Sequence, residues 1–317
     1  MTNKKHRAFI CGIKGLYLSK KEIFFLKKYK PWGIILFSRN IKSIKQVQNL
    51  THSIKTLFNN YNFPILIDEE GGRVSRLNNF IDNSIFSAKY FGDLFLKNRK
   101  KFNLYFSVYV KQISYLLRKL GININSVPVL DVRRFKSHNV IGDRSYSSDK
   151  KIVSKVGNIC IKKFHSNRIA TIIKHIPGHG LSKSDSHKKL PIINNKIDYL
   201  LKNDFKVFEN KTSLLAMTGH LLFKNLDDKE AATHSAKIIK LIRNKIGFKN
   251  LIITDDLSMN ALKYSLEKNV KKSFIAGCNL ALHCNGNLKE MLIVAKNSPK
   301  IDNFIIKKTS QLSYIIS

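Results

Sequence analysis

The chain has 317 residues, 43% of them hydrophobic, 25% charged and 10% aromatic, which is enough apolar material for one large core and excludes disordered and fibrous classes. With 57 Lys and Arg against 21 Asp and Glu, the formal net charge of +36 suggests at first sight a partner such as nucleic acid or anionic membrane. The basic residues are mostly Lys, spread over nearly every expected helix and accompanied by abundant Asn, Ile and Phe, so the charge reads as the chain-wide composition of an AT-rich genome and not as a clustered binding stripe.

In chain order, eight short apolar, β-branched runs predict strands at 8–13, 33–37, 64–67, 122–130, 170–173, 214–217, 251–253 and 280–283. Several are apolar throughout, as strands buried on both faces must be. Helices are expected between them. The segment 41–58 places Ile44, Val47, Leu50 and Ile54 at spacings of three and four, one stripe on a helix, and 101–120 and 235–246 behave similarly. Eight such units predict an α/β fold, a TIM-like (β/α)8 barrel, as a single domain over 1–317. No apolar run reaches 18 residues, so no membrane insertion is expected, and the run at 8–13 is too short for a secretory leader. The four Cys, at 11, 160, 278 and 284, make no CxxC pair, which fits free thiols and a cytoplasmic protein.

Polar residues fall where these runs end. The third leads into Asp68, Glu69 and Glu70, the fourth into Asp131, the fifth into Lys174 and His175, the sixth into His220 and the seventh into Asp255 and Asp256. All lie at C-terminal ends, the face that carries the active site of a barrel, although an open doubly wound sheet also binds ligands at its carboxyl ends.

Four stretches carry the chemistry. The richest, 174–187, reads KHIPGHGLSKSDSH and holds three of the chain's ten His. Its Pro-Gly step forces a loop, and in an extended segment Asp185 and His187 point the same way, so the carboxylate can fix the imidazole's tautomer and make an acid/base dyad. The same residues also fit a solvated or helix-capping loop. At 253–259, ITDDLSM, alternation sends one acid into the mouth and one away, making Asp255 the candidate nucleophile and Asp256 the candidate cap. At 67–77, IDEEGGRVSRL clusters carboxylates and guanidinium groups at a Gly-Gly turn, suited either to gripping vicinal hydroxyls or to bracing the loop by internal ion pairs. At 140–147, VIGDRSYS offers Arg144, aimed at the same pocket or paired with Asp143.

Together these motifs resemble the family 3 glycoside hydrolases, and within them the bacterial β-N-acetylglucosaminidases of peptidoglycan recycling. The family's D-x-E-G-G-R-V-x-R is matched at 68–76, I-G-x-R-[SA]-[FY] at 141–146, K-H-F-P-G-H-G with D-[ST]-H at 174–187, and S-D-D-L-x-M at 254–259, in order across 33–285. Ile176 stands in place of Phe, Glu69 in place of the common Gln, and 217–220 reads MTGH where MPAH is typical. The resemblance implies that Asp255 is the nucleophile, that His187 supported by Asp185 is the acid/base, and that Asp68, Arg76, Arg144, Lys174 and His175 bind N-acetylglucosamine. It implies retaining hydrolysis of GlcNAc-containing muropeptides through a glycosyl-Asp intermediate, with no metal or other cofactor and no specific nucleic-acid partner. A monomer is expected. Two alternatives are a metal-dependent barrel hydrolase using His175, His179, Asp185 and His187 as ligands, and a basic nucleic-acid-binding protein.

Overall fold

A computed structural model describes residues 4–134, 139–182, 184, 186 and 189–317. Its strands are β1 (Arg7–Gly12), β2 (Pro31–Leu36), β3 (Ile65–Ile67), β4 (Ile124–Asn125), β5 (Ala170–Ile176), β6 (Ile192–Ile193), β7 (Leu215–Thr218), β8 (Leu222–Phe223), β9 (Leu251–Asp256) and β10 (Leu280–His283). Eight of them close a parallel barrel in the order β1-β10-β9-β7-β5-β4-β3-β2, and β6 pairs with β8 in a small sheet formed by the chain that follows β5 and β7. Each barrel strand overlaps one of the runs expected from the sequence.

Among the described residues ten α-helices accompany the strands: α1 (Lys20–Tyr29), α2 (Ile44–Leu57), α3 (Ala88–Lys97), α4 (Arg99–Lys119), α5 (Lys150–Ser166), α6 (Ile197–Lys202), α7 (Ala236–Leu241), α8 (Leu266–Ala276), α9 (Leu288–Asn297) and α10 (Asn303–Ile316). Most starts are written in the sequence as a side-chain cap: Ser19, Ser43, Ser87, Asn98, Asp149, Ser235, Ser265, Asn287 and Asp302 each accept a backbone N–H of the first turn. In α2 the predicted stripe packs inward, with Val47, Leu50 and Ile54 buried and Ile44 packed against the same cluster.

The strands divide the core in two. Ala8, Ile10, Leu66, Ile124, Ile172, Leu215, Leu251, Ile253 and Leu280 share one cluster, while their neighbours Phe9, Ile65, Ile67, Ile173, Ala216, Ile252 and Ala281 join the larger cluster under the helices. That alternation is the period of two of a strand covered on both faces. The inner cluster is completed by Ile301 and by Ile305 and Leu312 of α10. Because Ala8 N–H donates to the Pro299 carbonyl and Ile301 N–H to that of His6, α10 covers the N-terminal end of the barrel, where Trp32 Nε1–H also donates to Thr309 Oγ1 at 2.8 Å. The opposite end stays open to carry the site.

Two expected elements are shorter than their apolar patterns. The run 122–130 yields only the two residues of β4, because Pro128 has no N–H for a ladder; beyond it Val129 makes an isolated bridge to Lys174. The helix expected over 235–246 is regular through Leu241, then widens into a π-type turn over Ile242–Ile246 that Gly247 ends at φ +79°.

Candidate active site

The tip of β3 is braced by one acid and lined by two. Glu69 is 1% exposed, and its carboxylate accepts from Ser75 Oγ (3.0 Å), Arg76 N–H (2.7 Å), Leu77 N–H (3.1 Å) and Asn83 Nδ2 (3.0 Å). These bonds fold the chain back through Gly71 and Gly72, whose φ of +83° and +58° suit glycine. Burial still raises the Glu69 carboxyl above its ordinary value. The flanking Asp68 and Glu70 turn the other way, toward the barrel mouth, so bracing of the loop falls to Glu69.

There they meet cations from distant parts of the chain. Lys174 Nζ, on β5, lies 2.6 Å from Glu70 Oε1 and 3.0 Å from Asp68 Oδ1. Arg144, in the loop before α5, forks Glu70 with Nε–H to Oε2 at 2.7 Å and Nη2–H to Oε1 at 2.9 Å. Arg76 Nη2 stands 3.8 Å from Asp68 Oδ2. Asp143, by contrast, pairs with Arg73 at 2.7 Å, leaving Arg144 to the pocket. Burial alone would raise the carboxyls, but Lys174 and Arg76 hold Asp68 below its ordinary value, and Arg144 and Lys174 do the same for Glu70. In return, although burial opposes it, Asp68 and Glu70 raise Lys174, and Glu70 raises Arg144. The acids Asp68 and Glu70 and the cations Lys174 and Arg144 thus favour one another's charged forms.

A second arrangement orients the imidazoles. Asp131, 0% exposed, accepts His175 Nδ1–H at 2.6 Å and the backbone N–H groups of His179 (2.7 Å) and His175 (3.3 Å). The carboxylate fixes which ring nitrogen of His175 bears the proton it donates. His179 is buried with its Nε2 at 3.2 Å from Ser186 Oγ, and burial pushes its pKa down to about 4, so it is neutral.

At the tip of β9 the two acids separate as alternation predicts. Asp255 lines the pocket, and its Oδ1 accepts the Asp256 N–H at 2.8 Å. Asp256 faces away, its Oδ1 accepting Ser258 Oγ–H at 2.8 Å and the N–H groups of Ser258 (3.1 Å) and Cys284 (3.3 Å). Burial would raise the Asp255 carboxyl, but it is held below the ordinary carboxylate range, with the Asp256 N–H hydrogen bond and Lys174 favouring its charged form.

The members of these clusters that face the barrel mouth share one cavity of about 200 Å³. Of the residues singled out from the sequence, Asp68, Arg76, Arg144, Lys174, His175 and Asp255 line it together. Asp185 and His187 lie outside the described residues; Ser186, between them, lines the same cavity. Glu70, His179, Met217 and Cys284 also contribute to the wall. The roles of Glu70 and Asp131 escaped motif reading, although both stood among the polar residues at strand ends. Among the described residues no group of three His, Cys, Asp or Glu side chains could hold a metal ion, and no helix is long and apolar enough to cross a membrane.

With this geometry in view, the family model described as the Glycosyl hydrolase family 3 N terminal domain matches residues 15–309. A β-hexosaminidase of Psychromonas ingrahamii is 31% identical over 313 residues, covering 96% of this chain and 88% of its own length. Another, from Methylobacillus flagellatus, is 29% identical over 280 residues, 86% of this chain and 79% of its own. Among solved structures, NagZ from Neisseria gonorrhoeae in complex with N-trifluoroacetyl-D-glucosamine superposes with a TM-score of 0.83 at 25% identity, covering 98% of this chain and 91% of that one. A family 3 β-N-acetylglucosaminidase from Paenibacillus sp. gives 0.85 at 27% identity over 98% of this chain, which spans 61% of that longer protein.

Proposed function

The chain belongs to the family 3 glycoside hydrolases and is a β-N-acetylhexosaminidase; on that premise we propose that it removes terminal N-acetylglucosamine from (anhydro)muropeptide fragments of peptidoglycan, with retention of configuration, in cytoplasmic cell-wall recycling. A single barrel domain, acting as a monomer, carries the whole activity. Asp68, Arg76, Arg144, Lys174 and His175 hold the sugar through its hydroxyl and acetamido groups, using charged donors and acceptors that match vicinal hydroxyls.

In the first step an Asp255 carboxylate oxygen attacks the anomeric carbon. His187, oriented by Asp185, gives its proton to the departing glycosidic oxygen, and the aglycone leaves as an alcohol. In the second, the now neutral His187 takes a proton from water, whose oxygen attacks the same carbon, breaks the glycosyl–Asp255 ester and regenerates both groups. An imidazole suits this double duty because its intrinsic pKa lies near neutrality, where a carboxylic acid would need a large upward shift. The acetamido group is held and does not attack.

The observation that carries this reading is Asp255: a carboxylate at a strand tip, kept ionised, sharing a cavity with the cations and acids expected to bind the sugar. Ser186 in the wall of that cavity supports the assignment of its two neighbours. The test is turnover of a chromogenic β-N-acetylglucosaminide beside the matching glucoside and N-acetylgalactosaminide. The N-acetylglucosaminide should be preferred, and Asp255→Ala should lose at least about three orders of magnitude in kcat while unfolding like the wild type. A folded Asp255→Ala protein of near-normal activity would overturn the assignment.

A further inference from the structure

Behind Asp255 runs a buried hydrogen-bonded chain to which the mechanism above gives no role. His220, just past β7, is 0% exposed. Its Nε2 lies 3.0 Å from the Asp256 carbonyl oxygen and its Nδ1 2.8 Å from Thr233 Oγ1, which is in turn 2.8 Å from Thr218 Oγ1. Thr218 and Thr233 are likewise 0% exposed. A carbonyl oxygen only accepts, so Nε2 bears a proton. Burial favours the neutral ring. Nδ1 is then the acceptor, the Thr233 hydroxyl donates to it, and the Thr218 hydroxyl donates to Thr233. The carbonyl fixes the Nε2 proton, and in the neutral ring the two threonine hydroxyls complete the chain behind it.

The other end of this chain is the nucleophile's own support. Asp256 N–H donates to Asp255 Oδ1 at 2.8 Å, so the Asp255 rotamer depends on the orientation of the residue whose carbonyl His220 grips. On the far side Asp256 is anchored through its carboxylate to Ser258 and the Cys284 N–H. The same carbonyl also accepts Met259 N–H at 3.1 Å from its own turn, whereas His220 reaches it by a side chain braced from a different loop, the turn Ala232–His234 that bears Thr233.

We propose that His220, set as the Nε2–H tautomer by the Asp256 carbonyl and braced through Nδ1 by Thr233, is a positioning residue for the nucleophile: it fixes the Asp255–Asp256 tip so that one carboxylate oxygen is tied to the backbone and the other is presented to the anomeric carbon. This rests on the assignment of Asp255 as nucleophile. Near-attack geometry is steep, a displacement of about 1 Å costing on the order of a hundredfold in rate, so loss of the grip should appear in kcat while sugar binding is spared.

The test compares His220→Ala, His220→Gln, Thr233→Val and Thr233→Ser for kcat, KM and thermal unfolding on the chromogenic N-acetylglucosaminide. His220→Ala should lower kcat by roughly a hundredfold with KM nearly unchanged, equally for activated and poor leaving groups. His220→Gln, whose terminal N–H can reach the same carbonyl, should recover about a tenfold part of that loss, roughly the worth of one restored hydrogen bond. Thr233→Val should lose about tenfold and Thr233→Ser should restore it. Should His220→Ala fail to fold, the Thr233 pair decides alone. Near wild-type kcat in His220→Ala, a loss confined to KM, or equal damage in Thr233→Val and Thr233→Ser would overturn the proposal. An active Asp255→Ala protein would instead overturn the nucleophile assignment, a separate result.

Discussion

Replacing Glu70 with Gln removes one negative charge from between two buried cations while keeping the side chain's volume. In the wild type the Glu70 side chain is 4% exposed and makes three charge-assisted contacts, at 2.6 Å to Lys174 and at 2.7 and 2.9 Å to Arg144. After the substitution Lys174 retains Asp68 at 3.0 Å, whereas Arg144 has no other carboxylate at salt-bridge distance among the described residues. Leaving a buried charge without its partner costs about 3–5 kcal/mol. Unfolding entropy of about 2.1 cal/mol/K per residue amounts to roughly 0.7 kcal/mol/K for a chain of this length, so the melting temperature should fall by about 4–8 °C. The pH dependence has a definite sign. Burial would raise the Glu70 carboxyl, but Arg144 and Lys174 hold it well below the carboxylate range, while in the unfolded chain it titrates near its ordinary value of about 4.3. In acid the unfolded chain thus binds more protons, and the stability Glu70 supplies above that pH is progressively lost. Melting curves followed by circular dichroism at pH 7, 5 and about 3.5 should show the gap between wild type and Glu70→Gln narrowing with acidification. A drop below about 1 °C at pH 7, or a gap that widens in acid, would refute the claim that this cluster is stabilised by paired charge.

His187→Ala should retain substantial first-step turnover on substrates with activated leaving groups and lose it on natural ones; leaving-group dependence of kcat/KM measures this, and equal loss on both would remove its acid role. Asp131→Asn withdraws the carboxylate that holds His175 Nδ1–H at 2.6 Å, a charge-assisted bond worth about 1.5–3 kcal/mol, so kcat/KM for the chromogenic N-acetylglucosaminide should fall roughly ten- to a hundredfold. Hydrolysis of that neutral substrate should vary little between 50 and 300 mM salt, whereas adhesion to polyanions, followed by fluorescence anisotropy of a labelled oligonucleotide, should weaken steeply over the same range, on the order of a thousandfold if several phosphates are contacted.

How far the site was legible follows from how local its signals are. Asp255 and Asp256 differ by one position on a strand, and alternation separates a pocket-lining acid from one turned away; the latter closes the turn at Ser258 and does not cap the next helix, which Ser265 begins. The run ending in Lys174 and His175 declared itself by its position at a strand end and not by alternation, since both consecutive residues line the cavity. Glu70 and Asp131 did not, because what they do is set by partners 74 and 44 positions away, Arg144 and His175. No spacing rule reaches that distance without the barrel's closure. The local pairing of Arg144 with Asp143 was left open by the sequence and is replaced by Arg73 with Asp143, since the β3 loop passes over the turn Gly142–Arg144. In the same way α10 shows Ile305, Thr309 and Leu312 at helical spacing, yet only the closed ring of strands supplies the floor they cover. Short-range order was therefore readable, and what needed the fold was the matching of charges between loops.

That matching also explains why the composition misleads about function. The chain carries +36, but its pocket does not. Setting aside the two imidazoles, the described residues lining the cavity comprise three carboxylates, Asp68, Glu70 and Asp255, and three cations, Arg76, Arg144 and Lys174, a balance of zero. The excess of Lys lies outside this lining, and a screening length of about 8 Å at physiological ionic strength keeps exposed charges farther off than that from reaching into it. A groove built for a polyanion would need unpaired cations along its floor, since affinity there comes from neutralised phosphates. Here the innermost cations, Lys174 and Arg144, are already held by acids at 2.6 to 3.0 Å, which leaves directed donors and acceptors in place of net positive charge. Such a floor is suited to an uncharged polyhydroxylated ring, and it protects the one charge that has to act, the Asp255 carboxylate, from being buried without partners.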